Sequence, residues 1–313
     1  QTKGYFKKIR YRKIPNVFDY KKFLIQQGYH GTYQVLSFTP DNKSKELALS
    51  KFKNNLKKHL KKSLSKSYGL SYALLLADKK HLSKDVSNSF KKLGLSHLLA
   101  ISGMHIGLIA LMVFSLLKTT PLHWKLNYTF TIMTLFAFTY LCNSPPSAIR
   151  ATMFFSLLAC FRIMERKTNI WNLLLAAAFC QLLYNPKEIY QLSFQLSYLA
   201  FATIILLLPI LKNKPKFIQG ILISTTISIS TFIIVVVTFS YFSILTPLHN
   251  LWAIPLIFTY LLCSIMPLLG IPYIDSATEI IYSLLLKILD YCEALPNGIW
   301  VSKNDSILIG ILL

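Results

Sequence analysis

From His97 to the carboxy-terminal end, apolar runs divided by short polar loops follow one another at about residues 98–117, 126–142, 148–163, 171–184, 192–211, 217–243 and 248–269. Each reaches, or nearly reaches, the about 20 helical residues that a bilayer core requires. The pattern predicts an all-α polytopic membrane protein with about seven transmembrane helices, some of them broken or kinked. Ser276 to Leu295 is amphipathic, with Ile280, Ile281, Leu284, Leu285, Ile288 and Leu289 on one side. It fits a second interfacial helix or a helix packed on the bundle.

The chain reads differently before His97. After a loop-rich start with Pro15, Gly28, Gly31 and Pro40, residues 43–67 place Leu47, Leu49, Phe52, Leu56, Leu60 and Leu64 at roughly helical spacing among nine lysines. This predicts a basic amphipathic helix lying at a membrane surface, apolar side down, with Lys51, Lys53, Lys57, Lys58, Lys61 and Lys62 turned toward phosphate. Tyr68 to Ala77 is too short to cross a bilayer. The expected organisation is therefore a basic lead-in over 1–68, a connector over 69–96 and a transmembrane domain over 97–313.

Composition sharpens the picture. Of 313 residues, 53% are hydrophobic and 15% charged, which fits a membrane chain and excludes disordered, collagenous and disulfide-scaffold classes. A formal net charge of +22 implies an anionic partner, either phospholipid or nucleic acid. The charge is uneven: residues 1–68 hold 17 Lys/Arg against 3 Asp/Glu, and residues 97–313 hold 12 against 7. Loops near 118–125, 162–170 and 212–216 carry most of the cations of the apolar region, whereas those near 143–150, 185–191 and 244–249 carry only Arg150 and Lys187. The first set belongs inside the cell; if 98–117 crosses once, the basic lead-in lies outside, against the trend of the rule but as long translocated segments tolerate, and there it suits an extracellular polyanion. The five cysteines stand singly without CxxC spacing and read as small buried hydrophobes. A start at Gln1 and an end within the apolar run Ile307 to Leu313 fit a piece of a longer protein.

Four stretches carry groups that hydrocarbon does not tolerate unless they face protein or water. Gly94 to Gly107 reads GLSHLLAISGMHIG and holds His97, Ser102, Gly103 and His105. On one continuous helix the two histidines would lie within about 80° of each other. Close helix packing with capping histidines and a polar passage both fit; metal binding lacks a third ligand. Pro145 to Arg150 holds Ser147 and Arg150, the latter fit either to snorkel to lipid or to offer a guanidinium fork to a phosphate. Gln191 to Tyr198 places Gln191, Gln195 and Tyr198 on one line and Ser193 and Ser197 on another, as interhelical hydrogen bonds or a pore lining. Pro247 to Pro255 opens a helix with Asn250 and a second proline, as a discontinuous helix at a passage would.

Catalysis is a poor fit. Ser102 and His105 lack a GxSxG elbow and a carboxylate to orient the imidazole, and neither a Walker A nor an HExxH motif occurs. The chain is expected to be no enzyme and to need no cofactor.

These residues resemble the competence domain of the ComEC family of bacterial DNA uptake proteins. Leu74 to Lys79, with Asp78, is similar to the family's LLLGDR, and Gly94 to Gly107 to its GLSHLLAISGLHVG. Ser147 to Ala151, Ser193 to Ala200 and Asn250 to Pro255 resemble its PSxxRA, GFQLSFLA and NLLAIP elements in the same order. Pro15 to Gly28 is similar to a segment that follows an outward OB-like domain in the family. The sequence departs at Ala77, Lys79 and Gln191, the last where the family often has Asp. The resemblance implies a channel in the bacterial cytoplasmic membrane that passes single-stranded transforming DNA inward. An outer DNA-receptor protein and a cytoplasmic helicase or motor would be its partners, beside membrane phospholipid. The nuclease domain of many members has no counterpart in this sequence. A transporter or flippase of an anionic lipid or polysaccharide precursor would explain the basic helix as well.

Overall fold

In the computed structural model the described residues are 2–8, 31–38, 48–239, 241–269, 274–295 and 298–300. The Pro15 to Gly28 resemblance, residues 43–47 of the expected basic helix and the final apolar run lie outside them. The all-α expectation needs one amendment. Strands β1 (Thr2–Lys8) and β2 (Gly31–Phe38) pair antiparallel, and β3 (Tyr241–Ser243) pairs with β4 (Gly298–Trp300). Gly31 to Phe38 supplies the β-branched and aromatic residues that suit a strand.

The end of the lead-in and the connector together form a small helical layer. Helices α1 (Ala48–Ser63), α2 (Tyr68–Leu76) and α3 (Lys84–Lys92) lead to a 3-10 turn at Ser96–Leu99. Ser83 caps α3 by accepting from the N–H of Val86, 3.2 Å away, and Asp85 sits in its first turn. Its end is a Schellman motif, in which Leu95 N–H donates to Phe90 at 2.7 Å and Gly94 N–H to Lys91 at 3.1 Å. Gly94 lies at φ +73°. The apolar partners of that motif, Phe90 and Leu95, are fully buried.

The bundle follows: α4 (Gly103–Lys118), α5 (Trp124–Leu141), α6 (Pro146–Ile163), α7 (Ile170–Tyr184), α8 (Leu192–Leu211), α9 (Lys216–Phe239) and α10 (Thr246–Ile265). Side-chain caps start α5 (His123) and α7 (Asn169), and α6 begins with Pro146, whose missing N–H costs nothing there. Helix α9 exposes Phe217, Ile218, Leu222, Ile229, Val237 and Phe239. Only 6% of its apolar window is buried in protein, as a lipid-facing helix requires.

Among the described residues four helices are long and apolar enough to cross a membrane: Pro146–Ile163, Leu192–Leu211, Lys216–Phe239 and Thr246–Leu268. The other three expected spans fall short for separate reasons. The 98–117 run is split at Ala100 and Ser102, both extended, leaving a 16-residue α4. Helix α7 has 15 residues, and α5 has 18 but dilutes its apolar content with Lys125, Asn127 and four threonines. Run 217–243 ends as a helix at Phe239 and finishes in β3.

The largest core lies between connector and bundle. Leu60 of α1 and Leu64 just past its end are fully buried, in one cluster with Leu70, Leu74, Phe90, Ala253, Ile257 and Tyr260. The apolar stripe of the basic helix therefore packs on protein over its second half, not on lipid as expected. Helix α11 (Ile274–Glu293) joins the same cluster through Leu285, Leu289 and Cys292, so it is a helix packed on the bundle. Helix α10 is held along its length: His249 Nδ1 lies 3.1 Å from the Leu93 carbonyl near one end, and the Tyr260 hydroxyl donates to the Ser67 carbonyl at 2.7 Å nearer the other. Of the four candidate spans, it has the largest buried share, 33%. The cysteine expectation holds for Cys142 and Cys292, but Cys160 and Cys180 are exposed on the outer surfaces of α6 and α7.

Candidate functional site at the helix amino termini

Every polar stretch singled out in the apolar region sits at the amino-terminal end of a helix: Ser102 to His105 on α4, Ser147 to Arg150 on α6, Gln191 to Ser197 on α8 and His249–Asn250 on α10. Two of these ends are tied to a third. The Ser147 hydroxyl donates to the Ile101 carbonyl just before α4, and Gly103 faces Ala151 closely enough that an added Cβ would meet its Cβ at 3.6 Å. The Arg150 Nη2 donates to the Ser193 carbonyl at the start of α8, 2.7 Å away. The first turns of α4, α6 and α8 thus converge, each bringing the positive end of its dipole.

Arg150 is the centre of the arrangement. It is 5% exposed, yet its Nε and Nη1 have no hydrogen-bond partner. Glu188 and Tyr198 are its electrostatic neighbours. They belong to a chain in which Tyr198 donates to Gln181 Oε1 at 3.1 Å and the Gln181 amide donates to Glu188. A guanidinium with two idle donors in a buried place is a preorganised receptor for an anionic oxygen.

His105 is nearly as buried, at 1% exposed. Its Nδ1 accepts from the Ser102 N–H at 3.3 Å and lies 2.9 Å from the Ser102 hydroxyl. Accepting at Nδ1 places the proton of the neutral ring on Nε2, and that atom has no partner. His97 does not join it. The break at residues 100–102 removes the continuous helix, and His97 lies exposed on the 3-10 turn with Nδ1 3.2 Å from the Gly94 carbonyl.

The remaining expectations divide. Ser193 and Ser197 expose their side chains, so Ser193 contributes its carbonyl and not its hydroxyl. Gln195 is exposed as well and donates to the Ile189 carbonyl at 3.0 Å, which separates it from the inward Tyr198. The Asn250 amide donates to the Ser224 hydroxyl of α9 at 2.9 Å, while its Oδ1 is buried and unpartnered. Sequence reasoning passed over Gln181, Glu188 and Asn127. A polar amide inside the apolar runs 171–184 and 126–142 was the available signal for two of them.

The connector holds the second polar locality. Lys57 pairs with Asp78, whose other oxygen accepts from the Lys80 N–H at 3.0 Å. Burial pushes the Asp78 carboxyl up, but the Lys57 hydrogen bond, the Lys80 N–H and both lysine charges outweigh it and hold it below the ordinary carboxylate value. The Tyr72 hydroxyl, donating to the Lys57 carbonyl, completes the fastening of α1 to α2. Lys53 donates to Asn143 Oδ1 at 2.6 Å, which attaches α1 to the α5–α6 loop. Lys51, Lys58, Lys61 and Lys62 are exposed.

Residues 74–313 match the family model described as competence protein. The chain belongs to that family. ComE operon protein 3 of Bacillus subtilis (strain 168) is 27% identical over 257 residues, 77% of this chain and 32% of that protein. An uncharacterized protein of Aquifex aeolicus (strain VF5) is 29% identical over 238 residues, 74% of this chain and 53% of its own length. The uncharacterized protein YcaI of Escherichia coli (strain K12) is 24% identical over 137 residues, 42% of this chain and 18% of the relative. The chain thus spans about a third of ComE operon protein 3 and about half of the Aquifex relative. No solved structure matches it. The matched segment of this competence protein family member takes in Asp78, His105, Arg150 and Asn250, and leaves the basic helix α1 outside.

Proposed function

We propose that this chain is the membrane passage for single-stranded transforming DNA in bacterial competence, with α1 and the connector on the outer side of the cytoplasmic membrane. The observation that carries the reading is Arg150, a buried guanidinium with two idle donors where three helix amino termini converge. A phosphodiester oxygen satisfies those donors, and the helix dipoles favour its charge. His105 Nε2–H is a further donor that needs no charge of its own. Lys53 supports this sidedness by fastening α1 to the loop at Asn143, one of the cation-poor loops expected outside, while His59, 3.2 Å from the Pro267 carbonyl, joins the same layer to the turn at the carboxy-terminal end of α10, so α10 lies along that layer. DNA concentrated by the lysines would be delivered to the helix ends in single-stranded form, and an outer receptor and a cytoplasmic motor would supply capture and force.

A transporter of an anionic lipid or polysaccharide precursor would account for the exposed lysines of α1 as well, but the competence family match does not favour it. The test is transformation frequency for Arg150→Ala and His105→Ala in the full-length protein at wild-type membrane levels, with uptake of labelled DNA into the outer compartment scored separately. Loss of transformation with outer uptake intact is expected. Unchanged transformation in both variants would overturn the assignment.

A further inference from the structure

The face of α1 that does not enter the core borders an open cleft of about 460 Å³, comparable to small-molecule sites. One wall is cationic, with Lys51, Lys58 and Lys61, none of which has a carboxylate partner among the described residues. The opposite wall is aromatic. Tyr68 and His81 have ring centroids 6.1 Å apart, and each packs on Tyr72 behind them, at 5.4 and 5.5 Å. Tyr72 is buried, whereas Tyr68 is partly and His81 largely open to solvent. The Lys61 ammonium stands 5.7 Å from the Tyr68 ring centroid, so charge and π-face adjoin.

Gly69 makes this wall. A Cβ there would lie 2.3 Å from the His81 carbonyl oxygen, so glycine alone lets α2 approach the 79–82 turn closely enough to set His81 beside Tyr68. The Lys57–Asp78 pair and the Tyr72 hydroxyl fasten the cationic helix to the same unit.

We infer that this cleft is a docking site for single-stranded nucleic acid, in which a base stacks on Tyr68 and His81 while neighbouring phosphates meet Lys51, Lys58 and Lys61. The inference rests on the proposed function and adds a contact point ahead of Arg150. Measured along the α1 axis, Lys51 and Lys58 are about 10.5 Å apart and Lys58 and Lys61 about 4.5 Å, from 1.5 Å per residue. Those spacings bracket the step between phosphates of an extended strand. A lipid headgroup supplies phosphate but no ring for the aromatic wall, and at Leu60 and Leu64 the apolar stripe that would seat this part of the chain in a bilayer is covered by protein.

The test uses the full chain in nanodiscs of neutral phosphatidylcholine, with two fluorescent probes of about 12 nucleotides, an oligothymidylate and its abasic counterpart. His81→Ala and Tyr68→Leu are expected to weaken oligothymidylate binding about five- to tenfold and the abasic probe less than about twofold, the stacking loss for one base. Lys58→Gln with Lys61→Gln should weaken both probes and lower the salt slope by about 1.4, two single-strand phosphate contacts. His81 is solvent-exposed, so its variant tests the wall without depending on the fold. Wild-type and variant affinities that coincide would overturn the cleft and leave the channel standing. Equal losses for both probes on His81→Ala would overturn stacking. Wild-type protein that ignores both probes and binds only phosphatidylglycerol vesicles would overturn the functional reading itself.

Discussion

Replacing Arg150 by Met separates a residue kept for stability from one kept for a passing anion. Two guanidinium nitrogens, Nε and Nη1, are buried without partners, and only Nη2 is satisfied, by the Ser193 carbonyl at 2.7 Å. Each unsatisfied buried donor costs about 1–3 kcal/mol, while one hydrogen bond from a charged donor contributes about 1.5–3 kcal/mol. Met keeps the length of the side chain and carries none of these donors. The expected net effect is a gain of about 1–3 kcal/mol, and for domains of this size each kcal/mol moves Tm by about 2–4 °C. Thermal unfolding in detergent, read by a thiol-reactive dye, suits the chain because Cys142 and Cys292 are buried and unreactive until unfolding, whereas Cys160 and Cys180 label at once. Arg150→Met should raise the midpoint by roughly 2–12 °C while transformation is lost. A lowered midpoint, restored by Arg150→Lys, would mean that the guanidinium holds the bundle together, and the argument from idle donors would fail.

Further predictions follow from the connector. Leu64→Ala should cost about 2–5 kcal/mol and speed hydrogen exchange across residues 48–63, because Leu64 is fully buried. Phe52→Ala, at a side chain 54% exposed, should change stability by less than about 0.5 kcal/mol. Gly94→Ala places a Cβ 2.1 Å from the Thr246 hydroxyl at φ +73°, so it should lower the thermal midpoint and loosen protection at residues 241–249. Asp78 is held below its ordinary pKa, so its ion pair stabilises above the ordinary carboxylate value and is lost as pH falls through the depressed one. The stability-versus-pH curves of wild type and Asp78→Asn should therefore lie apart near neutrality and converge on acidification; parallel curves would refute the pairing.

The hydrophobic pattern located the helices better than it located their surroundings. The runs 148–163, 192–211 and 248–269 became α6, α8 and α10 within a few residues, because a long apolar segment has one way to satisfy its backbone. What a stripe packs against is a tertiary matter, and the periodicity of Leu56, Leu60 and Leu64 is the same whether lipid or Tyr72 and Phe90 lie beneath it. The histidine pair failed at a local rule. Ser102–Gly103 is a helix start, and its capping chemistry outweighed the apolar run that crosses it. The β3–β4 pair joins residues 55 or more apart, which no local window reports. At the site, Ser102, Ser147, Arg150 and Asn250 were legible as polar groups in apolar company. The inward Tyr198–Gln181–Glu188 chain was not, because which side of α8 faces protein depends on packing.

The distribution of charge along the proposed route follows from what a moving polyanion requires. Binding at every step must be strong enough to admit the strand and weak enough to release it. The lysines of α1 are numerous and solvated, so each phosphate contact there is exchangeable and salt-sensitive. Past the connector the described bundle offers one buried cation, Arg150, with Glu188 as an electrostatic neighbour to temper it, and otherwise helix ends, hydroxyls and amides. Uncharged donors can be left in turn without stranding an ion in a low-dielectric site. The cations return in the loops near 118–125, 162–170 and 212–216, at the opposite ends of the same helices. On the proposed route a strand pulled inward would meet dense, then sparse, then dense positive charge, and the sparse stretch is where holding it too tightly would stop it.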